Sequence, residues 1–183
     1  DDYVDFVHTF IRNLNIDNPI IIGHSFGGRI AIRYVNKFEI KKLILISSAG
    51  IKRFNLKTKY KICKYKLKKK YYLLTRNIPK LEELQNNSGS SDYQCLNNTM
   101  KRTMINIINT DQTKELKNVN VPTLLLWGKR DLQTPYKDAL LMNKKIKDSG
   151  LVTFNYSGHF PFIDEEYLFI KVLASFLEVG DSK

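Results

Sequence analysis

The sequence is poor in the residues that mark disulfide-bonded, metal-binding and membrane-spanning proteins. Among its 183 residues are two cysteines, three histidines and five prolines. Cys63 and Cys95 show neither a paired framework nor the spacing of metal ligands, so we expect two buried, reduced thiols. Apolar runs stay far below the ~18–20 residues that cross a bilayer, and no basic segment followed by an apolar one begins the chain. These absences favour a cytoplasmic protein without a transmembrane segment.

What is present fits a folded domain with a sizeable core. Hydrophobic residues make up 43% of the chain and charged residues 26%, which excludes wholesale disorder. The formal net charge is +12, and the whole excess lies in one window. Residues 51–80 hold 12 of the 30 Lys and Arg residues and none of the 18 Asp and Glu residues, so the rest of the chain is neutral.

The basic window has two interpretations. Clustered lysines interleaved with tyrosines bind phosphate-rich partners, so a nucleic acid or an anionic surface is one of them. The other, which we favour, is a solvated helical face whose apolar side packs on the protein. The residues of that apolar side are Leu56, Tyr60, Cys63 and Leu67.

Short apolar runs alternate with helical patterns along most of the chain. The predicted strands are Ile20–Ile22, Leu43–Ile46, 121–127 and Leu151–Tyr156. Strands that alternate with helices predict the α/β class, with a mostly parallel sheet and helices on both faces. Residues 51–120 interrupt the alternation. We therefore predict a core built from residues 1–50 and 121–183, with a basic helical insertion, or cap, at 51–120.

A tight turn between the first predicted strand and the next helix carries the clearest chemical signal. Its sequence Gly23-His24-Ser25-Phe26-Gly27, followed by Gly28, is G-x-S-x-G in the setting of a nucleophile elbow. Such a turn strains the backbone of Ser25, and we expect side chains at Gly23 or Gly27 to collide with the neighbouring strand and helix. The sequence predicts Ser25 as a nucleophile and the Phe26 N–H, at a helix start, as an oxyanion donor.

A serine nucleophile needs a base, and three histidines compete for that role. His8 lies far upstream on the first predicted helix. His24 lies inside the turn and is expected to point away from Ser25, in a structural role. His159 follows the fourth predicted strand, at the edge where an open α/β sheet assembles its site, and is therefore the predicted base.

The imidazole in turn needs an acid that fixes its orientation. Asp131 follows the third predicted strand at the same edge, which makes it the predicted acid, although capping the next helix is its alternative role. Asp164, Glu165 and Glu166 are expected to serve the start of the last helix instead, where the helix dipole favours negative charge.

With Ser25, Asp131 and His159 in this order, the chain resembles the α/β-hydrolase family. The motifs are Gly-His-Ser-Phe-Gly-Gly, Trp-Gly-Lys-Arg-Asp and Ser-Gly-His-Phe-Pro, each after its own predicted strand. The chain is most similar to small microbial esterases, haloperoxidase-like enzymes and carbon–carbon bond hydrolases. One feature departs from the family pattern, because a single helix precedes the elbow strand and the second oxyanion donor has no counterpart. We therefore expect the chain to be the C-terminal part of a longer polypeptide.

The resemblance implies a serine hydrolase that acts on an ester or similar acyl bond of a small molecule, with a carbon–carbon bond as the other candidate. Triad chemistry implies no metal and no organic cofactor. The basic window suits an anionic substrate, and no specific nucleic-acid partner is expected. Two alternatives stay open. One is a catalytically inactive α/β-hydrolase fold that acts as a binding protein, and the other is a binder of anionic surfaces or nucleic acid through the basic segment.

Overall fold

A four-stranded parallel sheet forms the centre of the structure. The computed structural model describes residues 2–52, 56–88 and 94–179. The strands pair in chain order and are β1 (Ile20–His24), β2 (Lys42–Ile46), β3 (Thr123–Gly128) and β4 (Ser149–Phe154). The predicted α/β class with a parallel sheet is confirmed.

The described residues also form a short 3-10 helix (Glu115–Asn118) and eight α-helices. The α-helices are α1 (Asp2–Asn13), α2 (Phe26–Val35), α3 (Leu56–Leu74), α4 (Ile78–Asn86), α5 (Asn98–Asn109), α6 (Tyr136–Lys145), α7 (Pro161–Asp164) and α8 (Glu166–Leu177). The predicted last helix is therefore two helices, which separate at Glu165. None of the described helices combines the length and the apolar character that crossing a bilayer requires.

The core has two layers because side chains alternate across each strand. Leu43 and Leu45 of β2 belong to the cluster that also contains buried residues of α1, α2 and α6. Ile44 and Ile46, one residue out of phase, join Phe154 and the apolar face of α8. Helices thus cover both faces of the sheet. β1 and β2 end level, with His24 opposite Ile46, and β3 and β4 end two residues further on, with Gly128 opposite Phe154. The segments that follow the strands therefore meet at one edge of the sheet.

The chain divides into two compact units, Asp1–Ile51 with Asp111–Lys183, and Lys52–Thr110. The first unit contains the sheet. Residues 111–120, which the prediction counted with the insertion, belong to this unit, because Leu116 and Val119 are fully buried in its core. The buried Gln112 amide also donates to the Arg29 carbonyl (2.8 Å).

In the second unit, two expectations about burial are wrong. Cys63 and Cys95 are free thiols, as expected, but both are exposed rather than buried. Tyr60 and Leu67, expected to pack down on the protein, are exposed as well. The side chain of Leu56 lies outside the described ones. The apolar side of α3 therefore faces solvent along its described length.

Candidate active site

Ser25 occupies a strained turn between β1 and α2. Its φ of 51° and ψ of −114° lie in a region that residues with a side chain rarely adopt, at a cost of about 1–3 kcal/mol. Neighbouring backbone holds the turn in place. The Ser25 N–H donates to the Ile46 carbonyl (3.0 Å), and the Ser25 carbonyl accepts from the N–H groups of Gly28 (3.1 Å) and Ala49 (2.9 Å). The end of β2 and the residue Ala49 after it thus hold the backbone of this turn.

The glycines at which a side chain would collide are not the two that the sequence predicts. A Cβ at Gly23 would lie 2.8 Å from the backbone of Gly28, as expected of a close approach. A Cβ at Gly27 would meet no described atom within 4 Å, so the expected collision there is wrong. Gly28 carries that constraint instead, because its Cβ would overlap the side chain of Ser48. The loop after β2, rather than a neighbouring strand, therefore leaves no space for a side chain at Gly28 near the start of α2.

Phe26 is the first residue of α2, so its N–H has no acceptor within the helix. The N–H groups of a first helical turn favour negative charge nearby. The Phe26 ring is partly exposed and makes an edge contact with Tyr3 of α1, at 5.5 Å between ring centres. The structure therefore places the Phe26 N–H in the first turn of α2, directly after Ser25.

Asp131 lies just after β3 with a side chain that is almost completely buried and fully hydrogen-bonded. One oxygen, Oδ1, accepts from the N–H groups of Gln133 (2.8 Å) and Thr134 (2.9 Å). The other, Oδ2, accepts from the Thr134 hydroxyl (2.7 Å) and from Nδ1 of His159 (2.8 Å). Burial alone would raise the pKa of the Asp131 carboxyl, but these hydrogen bonds hold it below its ordinary value of 3.8. Asp131 is therefore ionised at neutral pH.

His159 is buried, and its loop is braced by carboxylates of the helices that follow. Glu165 Oε1 accepts from the Tyr156 N–H (3.0 Å) and from the Ser157 hydroxyl (2.7 Å), and Asp164 Oδ2 accepts from the Gly158 N–H (2.8 Å). Asp164 lies in the first turn of α7 and Glu165 directly precedes α8, close to the helix starts expected of them, and both also hold the loop that carries His159.

The loops that carry Asp131 and His159 approach each other closely because β3 ends in a glycine. A Cβ at Gly128 would overlap the carbonyl of Gly158 and lie 2.6 Å from that of Ser157. The adjacent Arg130 N–H donates to the Ser157 carbonyl (3.0 Å). The glycine of the Trp-Gly-Lys-Arg-Asp motif thus permits the hydrogen bond between Asp131 and His159.

His24 joins the Ser25 turn to the His159 loop. Its Nε2–H donates to the His159 carbonyl (2.9 Å), and the two imidazole rings lie 4.8 Å apart between centres. Since β1 and β4 are opposite ends of this sheet, the contact brings a distant loop over the turn. His24 therefore has a structural role, which is to bind the His159 loop to the Ser25 turn. His8, by contrast, stacks on Phe38 away from this edge.

The structure thus joins Asp131 and His159 directly, and His24, the neighbour of Ser25, contacts His159. Within residues 2–52, 56–88 and 94–179, no hydrogen bond links the Ser25 hydroxyl to His159, whose side-chain partners are Asp131 and Thr134. Such bonds are often long before a substrate binds. Thr134 is the site residue that sequence reasoning missed. Its spacing of three from an aspartate was the available signal, since Asp side chains often bind nearby backbone in turns.

Known proteins share this architecture. The AB hydrolase superfamily protein YisY of Bacillus subtilis is 30% identical over 199 residues, which cover 96% of this chain and 72% of YisY. A proline iminopeptidase of Saccharolobus solfataricus is 26% identical, over 88% of this chain and 63% of that relative. The esterase EaEST of Exiguobacterium antarcticum matches with a TM-score of 0.68 and 23% identity, over 96% of this chain and 72% of EaEST, a likeness of fold.

The family comparison covers most of the chain. The model of the family described as "Serine aminopeptidase, S33" matches residues 1–166, which include the sheet, the Ser25 turn and the loops that carry Asp131 and His159. The α/β-hydrolase resemblance drawn from the motifs is confirmed. The protein belongs to the serine aminopeptidase S33 family of α/β hydrolases.

Proposed function

We propose that the protein is a serine hydrolase in which Ser25 is the nucleophile, His159 the general base and Asp131 the acid that orients the base. The observation that carries the proposal is the hydrogen bond from His159 Nδ1 to the buried Asp131 carboxylate (2.8 Å), at the edge of the sheet where Ser25 has a positive φ. Backbone strain and a buried imidazole–carboxylate pair are features that active sites maintain at a cost in stability.

The hydrogen bond to Asp131 determines what His159 does in the proposed reaction. With its proton on Nδ1, neutral His159 has a lone pair on Nε2 for the proton of the Ser25 hydroxyl. Ser25 Oγ then attacks the carbonyl carbon, and His159 returns the proton to the leaving group. Water later attacks the acyl-serine with the help of the same base. Asp131 stabilises the imidazolium in both steps.

The Phe26 N–H is the proposed donor to the oxyanion, because it begins α2 with no acceptor inside the helix. The chain spans 63% of the length of the iminopeptidase and 72% of the length of YisY. The activity of the whole protein is therefore part of what we propose. We assign no metal and no organic cofactor to the reaction.

The proposed substrate is a small molecule with an ester or similar acyl bond, and a carbon–carbon bond is the second candidate. An anionic group on the substrate would suit the basic segment 51–80. We propose that the unit Lys52–Thr110, a helical insertion between β2 and β3, acts as the cap that selects the substrate. The free, exposed thiols of Cys63 and Cys95 suit a reducing compartment, which supports a cytoplasmic location.

The experiment is the burst of p-nitrophenol released from a short-chain p-nitrophenyl ester. We expect Ser25→Ala to abolish the burst without changing the circular dichroism spectrum. Ser88→Ala is the matched control, because this exposed hydroxyl follows α4 and donates to the Gln85 carbonyl (2.7 Å). A Ser25→Ala protein with a full burst would refute the assignment. Release of p-nitroaniline from a proline anilide, without ester turnover, would shift the substrate toward that of the iminopeptidase relative.

A further inference from the structure

Helix α3 carries an exposed apolar row along one side. At 100° per residue, the positions of this row fall within one narrow arc of the helix. We name it the apolar stripe, and its described members are Tyr60, Cys63, Leu67, Tyr71 and Leu74. All five are exposed, with Leu67 at 65% and Leu74 at 75% of their full accessible surface. At 1.5 Å per residue, the stripe extends about 21 Å from Tyr60 to Leu74.

Lysines border the apolar stripe on both sides. Helix α3 contains eight lysines and neither Asp nor Glu. Lys64 and Lys68 follow one margin of the stripe, while Lys66 and Lys70 follow the other, and all four are exposed. Four of the eight lysines of α3 therefore flank the apolar stripe.

The stripe is not the face by which α3 packs in its own unit. Tyr65, Lys69 and Tyr72 lie on the opposite side of the helix and are partly buried, and α3 packs against α4. The stripe therefore adds apolar exposure that the packing of α3 on α4 does not require. An apolar surface of this kind marks an interaction site when polar residues rim it.

We propose that α3 docks on bilayers that contain anionic phospholipid, with the apolar stripe in the interface and the lysines on the headgroups. Helices that bind in the plane of such an interface place apolar side chains at the acyl boundary and lysines at the headgroups, where tyrosines are also favoured. Lysine stems extend along apolar surface while their ammonium groups reach the phosphates. A nucleic acid would use the lysines but leave the leucines without a partner. This docking goes beyond the proposed function. It uses none of the residues of the Ser25 site, but it uses lysines of the same basic segment 51–80 that the proposed function relates to an anionic substrate.

The two cysteines of the chain supply a matched pair of reporters. Cys63 lies on the apolar stripe and Cys95 lies outside α3, and both thiols are exposed. A polarity-sensitive fluorophore is attached to Cys63 in a Cys95→Ser protein, and to Cys95 in a Cys63→Ser protein. With vesicles of phosphatidylcholine and phosphatidylserine, we expect a blue shift at Cys63 and none at Cys95. Equal shifts at both positions, or none at Cys63, would overturn the proposal.

Co-sedimentation with the same vesicles tests the chemistry of the surface. We expect the double variant Leu67→Ser/Leu74→Ser to bind about tenfold more weakly, because it removes apolar area from the interface. Ile62→Ser/Leu73→Ser is the matched control, since these side chains are 50% and 54% exposed but lie away from the stripe. We expect Lys64→Gln/Lys70→Gln to weaken binding, and pure phosphatidylcholine to bind the parent protein weakly.

Three results would contradict membrane docking. The first is equal binding by the stripe variant and its control, and the second is equal binding to both kinds of vesicle. The third is tight binding to poly(U) that only the lysine variant loses, because that pattern fits a nucleic-acid surface. Thermal melts establish that each variant is folded. Ser25→Ala should bind vesicles as the parent does, so a failed docking test and a failed catalytic test are distinguishable.

Discussion

The Asp131 carboxylate holds together the segment after β3, because it accepts hydrogen bonds from the N–H groups of Gln133 and Thr134 and from Nδ1 of His159. Its pKa in the folded protein is below the ordinary value, so the ionised form stabilises the fold. That contribution is complete above the ordinary value of 3.8 and is lost as the pH falls through the lower pKa of the folded state.

Asp131→Asn measures this contribution. We expect the free energy of unfolding of the parent to exceed that of the variant most at about pH 6, and the difference to shrink toward about pH 3. Urea titrations of both proteins across this range provide the measurement. A difference that stays constant or grows on acidification would show that the charge of Asp131 does not stabilise the fold.

Thr134 is a second residue whose effect can be isolated. Its buried hydroxyl lies 2.7 Å from Asp131 Oδ2 and 2.9 Å from the Ser47 carbonyl, and its single proton serves one of them at a time. Thr134→Val leaves polar atoms there without a donor, so we expect a loss of about 1–3 kcal/mol in stability. We also expect kcat to fall about tenfold at unchanged KM, because Asp131 is less firmly placed.

Thr134→Ser is the control for this prediction, because it restores the hydroxyl without the methyl group. It should recover kcat in the same ester assay. If Thr134→Ser and Thr134→Val have the same kcat, then the hydroxyl does not position Asp131.

At the scale of residues, the sequence predicts the proposed nucleophile, base and acid from their positions after strands. Ser25, His159 and Asp131 each follow a strand, and parallel strands end at one edge of the sheet. The contacts of Glu165 and His24 were not predictable in the same way. Apart from the Ser157 hydroxyl, their partners are backbone groups of the His159 loop, and backbone polar groups leave no mark in the sequence.

At the scale of elements, the turn from β1 into α2 depends on which glycine faces the loop after β2. We expect Gly28→Ala to destabilise the protein by about 2 kcal/mol, because its methyl group would overlap Ser48. Gly27→Ala is the matched control. With no described atom within 4 Å of its Cβ, it should stay within about 1 kcal/mol of the parent, on the stabilising side.

Chemical denaturation of the two single variants and of Gly28→Ala/Ser48→Gly separates these effects. The double variant should recover most of the stability that Gly28→Ala loses, since the overlapping side chain is gone. Equal losses for Gly27→Ala and Gly28→Ala would mean that glycine is needed at both positions for another reason.

The strands were the easiest elements to predict, because short apolar runs that alternate with helical patterns indicate the buried strands of a parallel sheet. The details that failed depend on tertiary contacts. The last helix divides at Glu165, whose side chain binds Tyr156 and Ser157 of the preceding loop. Helical spacing identified the apolar side of α3 correctly, but spacing alone does not say whether such a side is covered.

At the scale of the whole molecule, the two units differ in charge and in how much of their function can be predicted from sequence motifs. The sheet unit carries the motifs, and these were sufficient for the α/β class and the hydrolase family. The basic residues 51–80 carry the entire positive excess, and no motif in them names a substrate. A substrate is recognised by side chains that line a pocket, and different sequences can line it on one fold.

The central claim is that Ser25 is a nucleophile activated by His159, and a fluorophosphonate probe tests it most directly. Ser25 Oγ would displace fluoride from phosphorus and lose its proton to His159, leaving a stable phosphonyl-serine. Peptide mapping by mass spectrometry should then place the adduct on Ser25, with labelling absent in Ser25→Ala and slowed at least about a hundredfold in His159→Gln. Adduct on another residue, or unchanged labelling in His159→Gln, would contradict the account.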